Sequence, residues 1–112
     1  MDKRTNKKIT DFITAVNERY PKLVTAYIFG SYVKNKIRPD SDIDIALIID
    51  DLKDKERFDV QVQLILLASK FDLRIEPHPI SKNDFNSCNP FAYEIRRTGI
   101  EIKPPAHDFS LK

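Results

Sequence analysis

Cysteine is scarce in this chain, and long apolar runs are absent. Cys88 stands alone, so no intramolecular disulfide can form, which suits a reducing cytoplasm. No apolar stretch approaches the roughly 18 residues that a membrane span needs, so no membrane segment is expected. The N-terminal M-D-K-R-T-N-K-K is basic, but no apolar segment follows it, so it does not read as a secretory signal and a cytoplasmic location is expected. Charge of one sign is also in short supply. A formal net charge of +2 is too small to argue for nucleic acid as a direct partner. Internal repeats and low-complexity segments are lacking. Cys88, His78 and His107 show no paired ligand spacing, which argues against a zinc site.

What remains is the composition of a globular protein, 41% hydrophobic and 32% charged over 112 residues. That length suits one domain over residues 1–112, burying about two-thirds of its unfolded surface. The segment from Pro104 to Lys112 is expected to be a mobile tail.

The chain is organised around Val24 to Asp50. An apolar run ends in Gly30-Ser31, a polar basic loop of ten residues follows, and Asp42 and Asp44 open a second apolar run. Residues two apart on a strand share a face, so Asp42 and Asp44 point one way and Ile43, Ile45, Leu47 and Ile49 the other. Their Cβ atoms would lie roughly 6–7 Å apart. Two carboxylates so placed repel each other unless something neutralises them. Mg²⁺ suits the pair, because it is held by one or two carboxylates together with waters and substrate phosphates. Gly30 lets backbone approach a phosphate, and Ser31 adds a hydroxyl donor to an anion-binding turn.

Helical spacing of Ile9, Phe12, Ile13, Val16 and Tyr20 predicts a first helix over Thr5 to Tyr20, ended by Pro21. Strands are predicted over Val24 to Phe29 and Ile43 to Ile49, the second central and covered on both faces. A short helix is expected to begin at Tyr32–Val33. In the loop from Lys34 to Ser41, Lys34, Lys36 and Arg38 could attract phosphates, and Pro39 stiffens the approach to the second strand. A helix from about Lys53 to Phe71 is expected to bury Phe58, Val62, Ile65, Leu66 and Ser69, with Val60, Leu64, Leu67 and Ala68 widening that stripe. Leu73 to Ile80 reads as a third strand, confined to an edge by Pro77 and Pro79. Ser81 to Phe85 suits a turn with a brief helix. Asn89 caps a last helix from Pro90 to Thr98, Gly99 stops it, and Ile100 to Lys103 suits a terminal strand. Glu76 is the candidate third carboxylate, with Asp72 and Asp84 behind it. His78 shares its face and could contact a nucleotide or a site carboxylate. Arg74 could touch phosphate or pair with Glu76.

Gly30-Ser31, ten residues and Asp42-x-Asp44, with R-P-D-S-D-I-D across Arg38 to Asp44, resemble the G-S-x10-D-x-D signature of minimal nucleotidyltransferases of the DNA polymerase β superfamily. The resemblance runs from about Val24 to Ile102. It implies an α/β (α+β) nucleotidyltransferase fold, a short mixed β-sheet with helices packed mainly on one face. It also implies two Mg²⁺ ions on Asp42, Asp44 and Glu76, with ATP as co-substrate gripped by Gly30 and Ser31. The superfamily's third carboxylate is commonly Asp, and Glu76 departs from that. The implied reaction moves a nucleoside monophosphate, AMP from ATP, to a hydroxyl. In the class it most resembles, the nucleotidyltransferase is an antitoxin that adenylylates a tyrosine of a HEPN-type helical toxin. Two other readings are a stand-alone transferase acting on a small molecule, and a non-enzymatic subunit that neutralises a partner by binding it. Self-association into a homo-oligomer is left open by the sequence.

Overall fold

The computed structural model describes residues 3–33 and 41–105. The expectations for Lys34, Lys36, Arg38, Pro39 and His107, and for the tail beyond Pro105, lie outside the described residues. In chain order the elements are α1 (Lys3–Arg19), β1 (Leu23–Phe29), a 3₁₀ turn (Gly30–Tyr32), β2 (Ile43–Ile49), α2 (Asp54–Ala68), β3 (Ile75–Ser81), α3 (Lys82–Phe85), α4 (Pro90–Thr98) and β4 (Ile100–Ile102).

The continuous apolar run of β2 belongs in the middle of a sheet, and the structure puts it there. Four strands lie in the order β3-β2-β1-β4. β1 is antiparallel to both β2 and β4, while β3 runs parallel to β2, so the sheet is mixed. A parallel neighbour needs a crossover, and α2 supplies it. Pro77 and Pro79 fit because β3 is an edge. The Pro77 carbonyl accepts a hydrogen bond from the Gln61 side chain of α2 rather than from β2. On a strand a residue's N and C=O point to the same side, so the missing donor of Pro77 falls on the open edge.

Alternation along β2 divides the core in two. Ile43, Ile45, Leu47 and Ile49 face α1 and α2, packing with Ile9, Phe12, Ile13, Val16, Leu64 and Ala68. Ala46 and Ile48 face the opposite side, where Phe85, Ala92 and Ile95 of α3 and α4 cover them. The two long helices thus share one face. The short pair covers only part of the other, and Asp44 opens onto that second face. Arg96 holds the short pair together, donating to the Phe85 carbonyl and lying over its ring.

The last helix follows its local signals closely. The Asn89 side chain accepts from the Phe91 N–H, and Pro90 occupies the first turn, where no donor is needed. Gly99 ends the helix as expected, with extended backbone rather than a left-handed turn. A Cβ there would lie 2.6 Å from the Ile95 carbonyl oxygen and 3.1 Å from that of Ile28. The absent side chain lets the chain pass directly into β4. No helix among the described residues is long and apolar enough to cross a membrane.

Two expectations are corrected. The third strand starts at Ile75, and Leu73 projects into solvent, because the Asp72 carboxylate accepts from the Arg74 N–H and folds that segment into a turn. On α2 the buried side chains are Leu64 and Ala68, with Val60 and Leu67 packed partly against the core. Phe58, Val62, Ile65 and Leu66, expected inside, are exposed, Phe58 by 74%. The cause is that the second half of α2 is apolar all round. Val60, Leu64, Leu67 and Ala68 repeat at helical spacing as well, so the period alone does not choose between faces. Leu64→Ala should therefore cost about 2–5 kcal/mol in denaturant unfolding, as for a buried leucine. Leu66→Ala should stay within about 0.5 kcal/mol. Equal losses at both positions would refute the face assignment.

Candidate active site

The site grows from the pairing of β2 with its two neighbours. Asp44 is in register with Glu76 on β3 and with Phe29 at the end of β1. Residues in register on adjacent strands present their side chains to one face. Asp44 and Glu76 therefore stand side by side, and His78 follows Glu76 on the same face. One donor atom from each of Asp44, Glu76 and His78 lies within 4.8 Å of the others. His78 Nε2 is 3.0 Å from Asp44 Oδ1 and 3.5 Å from Glu76 Oε1.

Asp42 lies just ahead of β2 and is exposed. It stands outside this tight set, yet it is near enough to Glu76 to act on that group's proton affinity. The Glu76 pKa is raised. Partial desolvation is the largest cause and the charge of Asp44 the next; His78 opposes them, and Asp42 adds to the rise. Crowded carboxyl groups with one imidazole among them form a donor set that a divalent cation fits, since it would cancel their repulsion.

The Gly30-Ser31 turn is built against the same carboxylate. Gly30 has φ +81°, and a Cβ on it would come within 2.6 Å of Asp44 Oδ2. Glycine is thus required twice, by the backbone conformation and by the seat of Asp44. Ser31 follows in the 3₁₀ turn, half-buried, and the Tyr32 hydroxyl donates to Asn6 Oδ1 of α1, anchoring the turn. Gly30, Ser31, Asp42, Asp44 and Glu76, singled out in the sequence, all belong to this one corner.

Of the two fallback carboxylates, Asp72 is engaged elsewhere and Asp84 lies outside the tight set. Asp72 is bound by Arg74 at 2.7 Å, which lowers its pKa, chiefly through the side-chain hydrogen bond. Arg74 thereby pairs with Asp72 and not with Glu76. Asp84 sits in the first turn of α3, its N–H donating to Ser81 Oγ. It lines a hollow of about 240 Å³ together with Arg57, Gln61, His78 and Phe91. Phe29 lies 5.3 Å from the His78 ring and 5.5 Å from that of Phe91, forming an apolar wall. Spacing gave no signal for Arg57, Gln61 or Phe91, which come from α2 and α4 and meet only in the fold. A hollow of about 390 Å³ at the far end of β2, between Tyr20 and Lys53, holds Asp50 and Asp51 but is remote from the cluster.

The raised Glu76 pKa fixes the sign of a pH dependence in the metal-free protein. As pH rises past the ordinary glutamate value, the unfolded chain releases its proton first, so stability falls until the folded group also ionises. Glu76→Gln should remove that decline and be the more stable form at neutral pH. Denaturant midpoints measured against pH in a chelator test this, and an unchanged slope would show that Glu76 is not strained.

Comparison with known proteins agrees with this geometry. The model of the family described as polymerase beta, nucleotidyltransferase, matches residues 11–105. Curated protein sequences give no significant match. Among solved structures, a candidate nucleotidyltransferase from Sulfolobus solfataricus superposes with TM-score 0.67 at 20% identity, covering 96% of this chain and 88% of that one. A toxin–antitoxin complex with AMP-PNP gives TM-score 0.57 at 26% identity, covering 86% of this chain and 70% of that one. The complex of a tri-AMPylated Shewanella oneidensis HEPN toxin with an MNT antitoxin gives 0.52 at 23%, covering 87% and 67%. The family match spans most of the chain, including β1, the Gly30-Ser31 turn, β2 and β3: the protein belongs to the polymerase beta nucleotidyltransferase family.

Proposed function

We infer that this chain transfers AMP from ATP to a hydroxyl group, using Asp42, Asp44 and Glu76 to hold divalent cations. The observation that carries the reading is the convergence of Asp44 and Glu76 from adjacent strands onto a carboxylate seat whose floor is Gly30. When bound, two Mg²⁺ ions would neutralise charge on the triphosphate and lower the pKa of the acceptor hydroxyl.

The chain's own groups do the rest. Gly30 and Ser31 hold the triphosphate by backbone N–H groups and a hydroxyl, orienting it for in-line displacement. The acceptor oxygen forms a bond to the α-phosphorus as the bond from that phosphorus to the bridging oxygen breaks, and pyrophosphate leaves. Glu76, beside Asp44 on the neighbouring strand, would hold the second ion or take the acceptor's proton. The hollow beside His78, of mixed polar and apolar lining, offers the Phe91 ring to the nucleotide base.

The acceptor is a tyrosine of a HEPN-type helical partner. Support comes from the solved relatives, which include a toxin–antitoxin complex and an AMPylated HEPN toxin with its antitoxin. The exposed row of Phe58, Val62, Ile65 and Leu66 on α2 is an apolar surface that such a partner would cover. That row also favours the second reading, a subunit that acts by binding alone.

One experiment separates the two. The protein is incubated with α-labelled ATP and Mg²⁺, with and without the protein encoded beside it, and intact masses are recorded. Label should pass to the partner. Asp44→Asn should reduce transfer by about a thousandfold, the equivalent of several kcal/mol of transition-state stabilisation, while retaining its circular dichroism. Transfer undiminished in the variant would overturn the assignment. Partner binding that survives in Asp44→Asn, with no label transferred by either protein, would leave the binding subunit.

A further inference from the structure

The third donor of the tight cluster is a nitrogen, and that changes what the cluster selects. We propose that His78 is a direct ligand of the cation held by Asp44 and Glu76, and that it makes the site prefer a first-row transition ion such as Mn²⁺ to Mg²⁺. The inference rests on the metal-dependent reading above and adds a ligand and a selectivity to it.

Position is the first argument. His78 follows Glu76 by two residues on β3, so strand geometry sends both side chains to the face that carries Asp44. His78 is in register with Ala46, whose small side chain leaves the imidazole free to lean toward Asp44. The ring is bounded by Phe29 at 5.3 Å. A strand and an aromatic wall therefore set its place, as a metal ligand requires.

Spacing is the second. Two neighbouring donors on an octahedral ion, each about 2.1 Å from it, lie about 3.0 Å apart. The His78 nitrogen is 3.0 Å from Asp44 Oδ1 and 3.5 Å from Glu76 Oε1, and one donor atom of each residue lies within 4.8 Å of the others, close enough to share one ion after small side-chain adjustments. An ion would replace the His78–Asp44 hydrogen bond without moving either strand.

Donor chemistry is the third. Mg²⁺ is hard, keeps its waters and takes oxygen ligands. Imidazole nitrogen favours first-row transition ions over Mg²⁺. His78 thus needs no second histidine or cysteine nearby in sequence, because its co-ligands come from β2 and from β3 itself.

The test measures binding and not only activity. The full-length protein is titrated with Mn²⁺ and separately with Mg²⁺, in the presence of a non-hydrolysable ATP analogue. Pulsed EPR on the Mn²⁺ complex then reads nitrogen coupling, with ¹⁵N-histidine labelling to separate the protein's nitrogen from that of the nucleotide. Mn²⁺ should bind at least about tenfold more tightly than Mg²⁺. A histidine nitrogen coupling should be present in the wild type and absent in His78→Gln. That variant should lose about tenfold or more in Mn²⁺ affinity and change little in Mg²⁺ affinity. Mn²⁺ bound without histidine coupling, or equal losses for both ions, would overturn the role of His78 and leave the carboxylate site standing. If neither ion binds the wild-type protein with nucleotide present, the metal-dependent reading falls as well. The wild-type EPR measurement needs no variant, so a folding defect in His78→Gln does not decide the outcome.

Discussion

The parallel register of β2 and β3 is the constraint on which the rest depends. It sets Asp44 opposite Glu76, and like charges at that range disfavour each other. Everything around them reduces the conflict. His78 contacts both carboxylates, and Glu76 has an elevated proton affinity. The fold holds this arrangement because β2 is anchored on both faces by apolar side chains. Local strain at one end of the strand is borne by packing along the remainder.

Two aspartates that look equivalent in the sequence are not equivalent in space. Asp44 is within β2, half-buried, and fixed by pairing on both sides, with Phe29 and with Glu76. Asp42 precedes the strand and is exposed. The shared face expected from two-residue alternation brings both to the same corner, but only Asp44 has its direction determined by ladder bonds. Its partners are therefore contributed by β3, and the compact set is Asp44, Glu76 and His78.

Local chemistry made much of the fold legible. The bounds of β2 and of α4 follow from an apolar run and from Asn89-Pro90 with Gly99, because these signals act within a few residues. The two prolines placed β3 at an edge for the same reason. The inward face of α2 was not legible, since Phe58-Val62-Leu66 and Val60-Leu64-Leu67 have the same period and only the sheet decides between them. That Gly30, Ser31, Asp42 and Asp44 would meet at one corner was legible in their spacing, and that Glu76 would join them in its strand position. The engagement of Arg74 with Asp72, and the meeting of Arg57, Gln61 and Phe91 beside His78, were not, because they depend on how α1, α2 and α4 dock.

The contact between Gly30 and the Asp44 carboxylate couples two parts often considered separately. With no side chain between them, the turn's backbone and the carboxylate oxygen share one wall. On the proposed reading, the turn that grips the triphosphate and the acid that holds the ion would then press directly on each other, so that a larger side chain at Gly30 would displace Asp44 as well as strain the backbone.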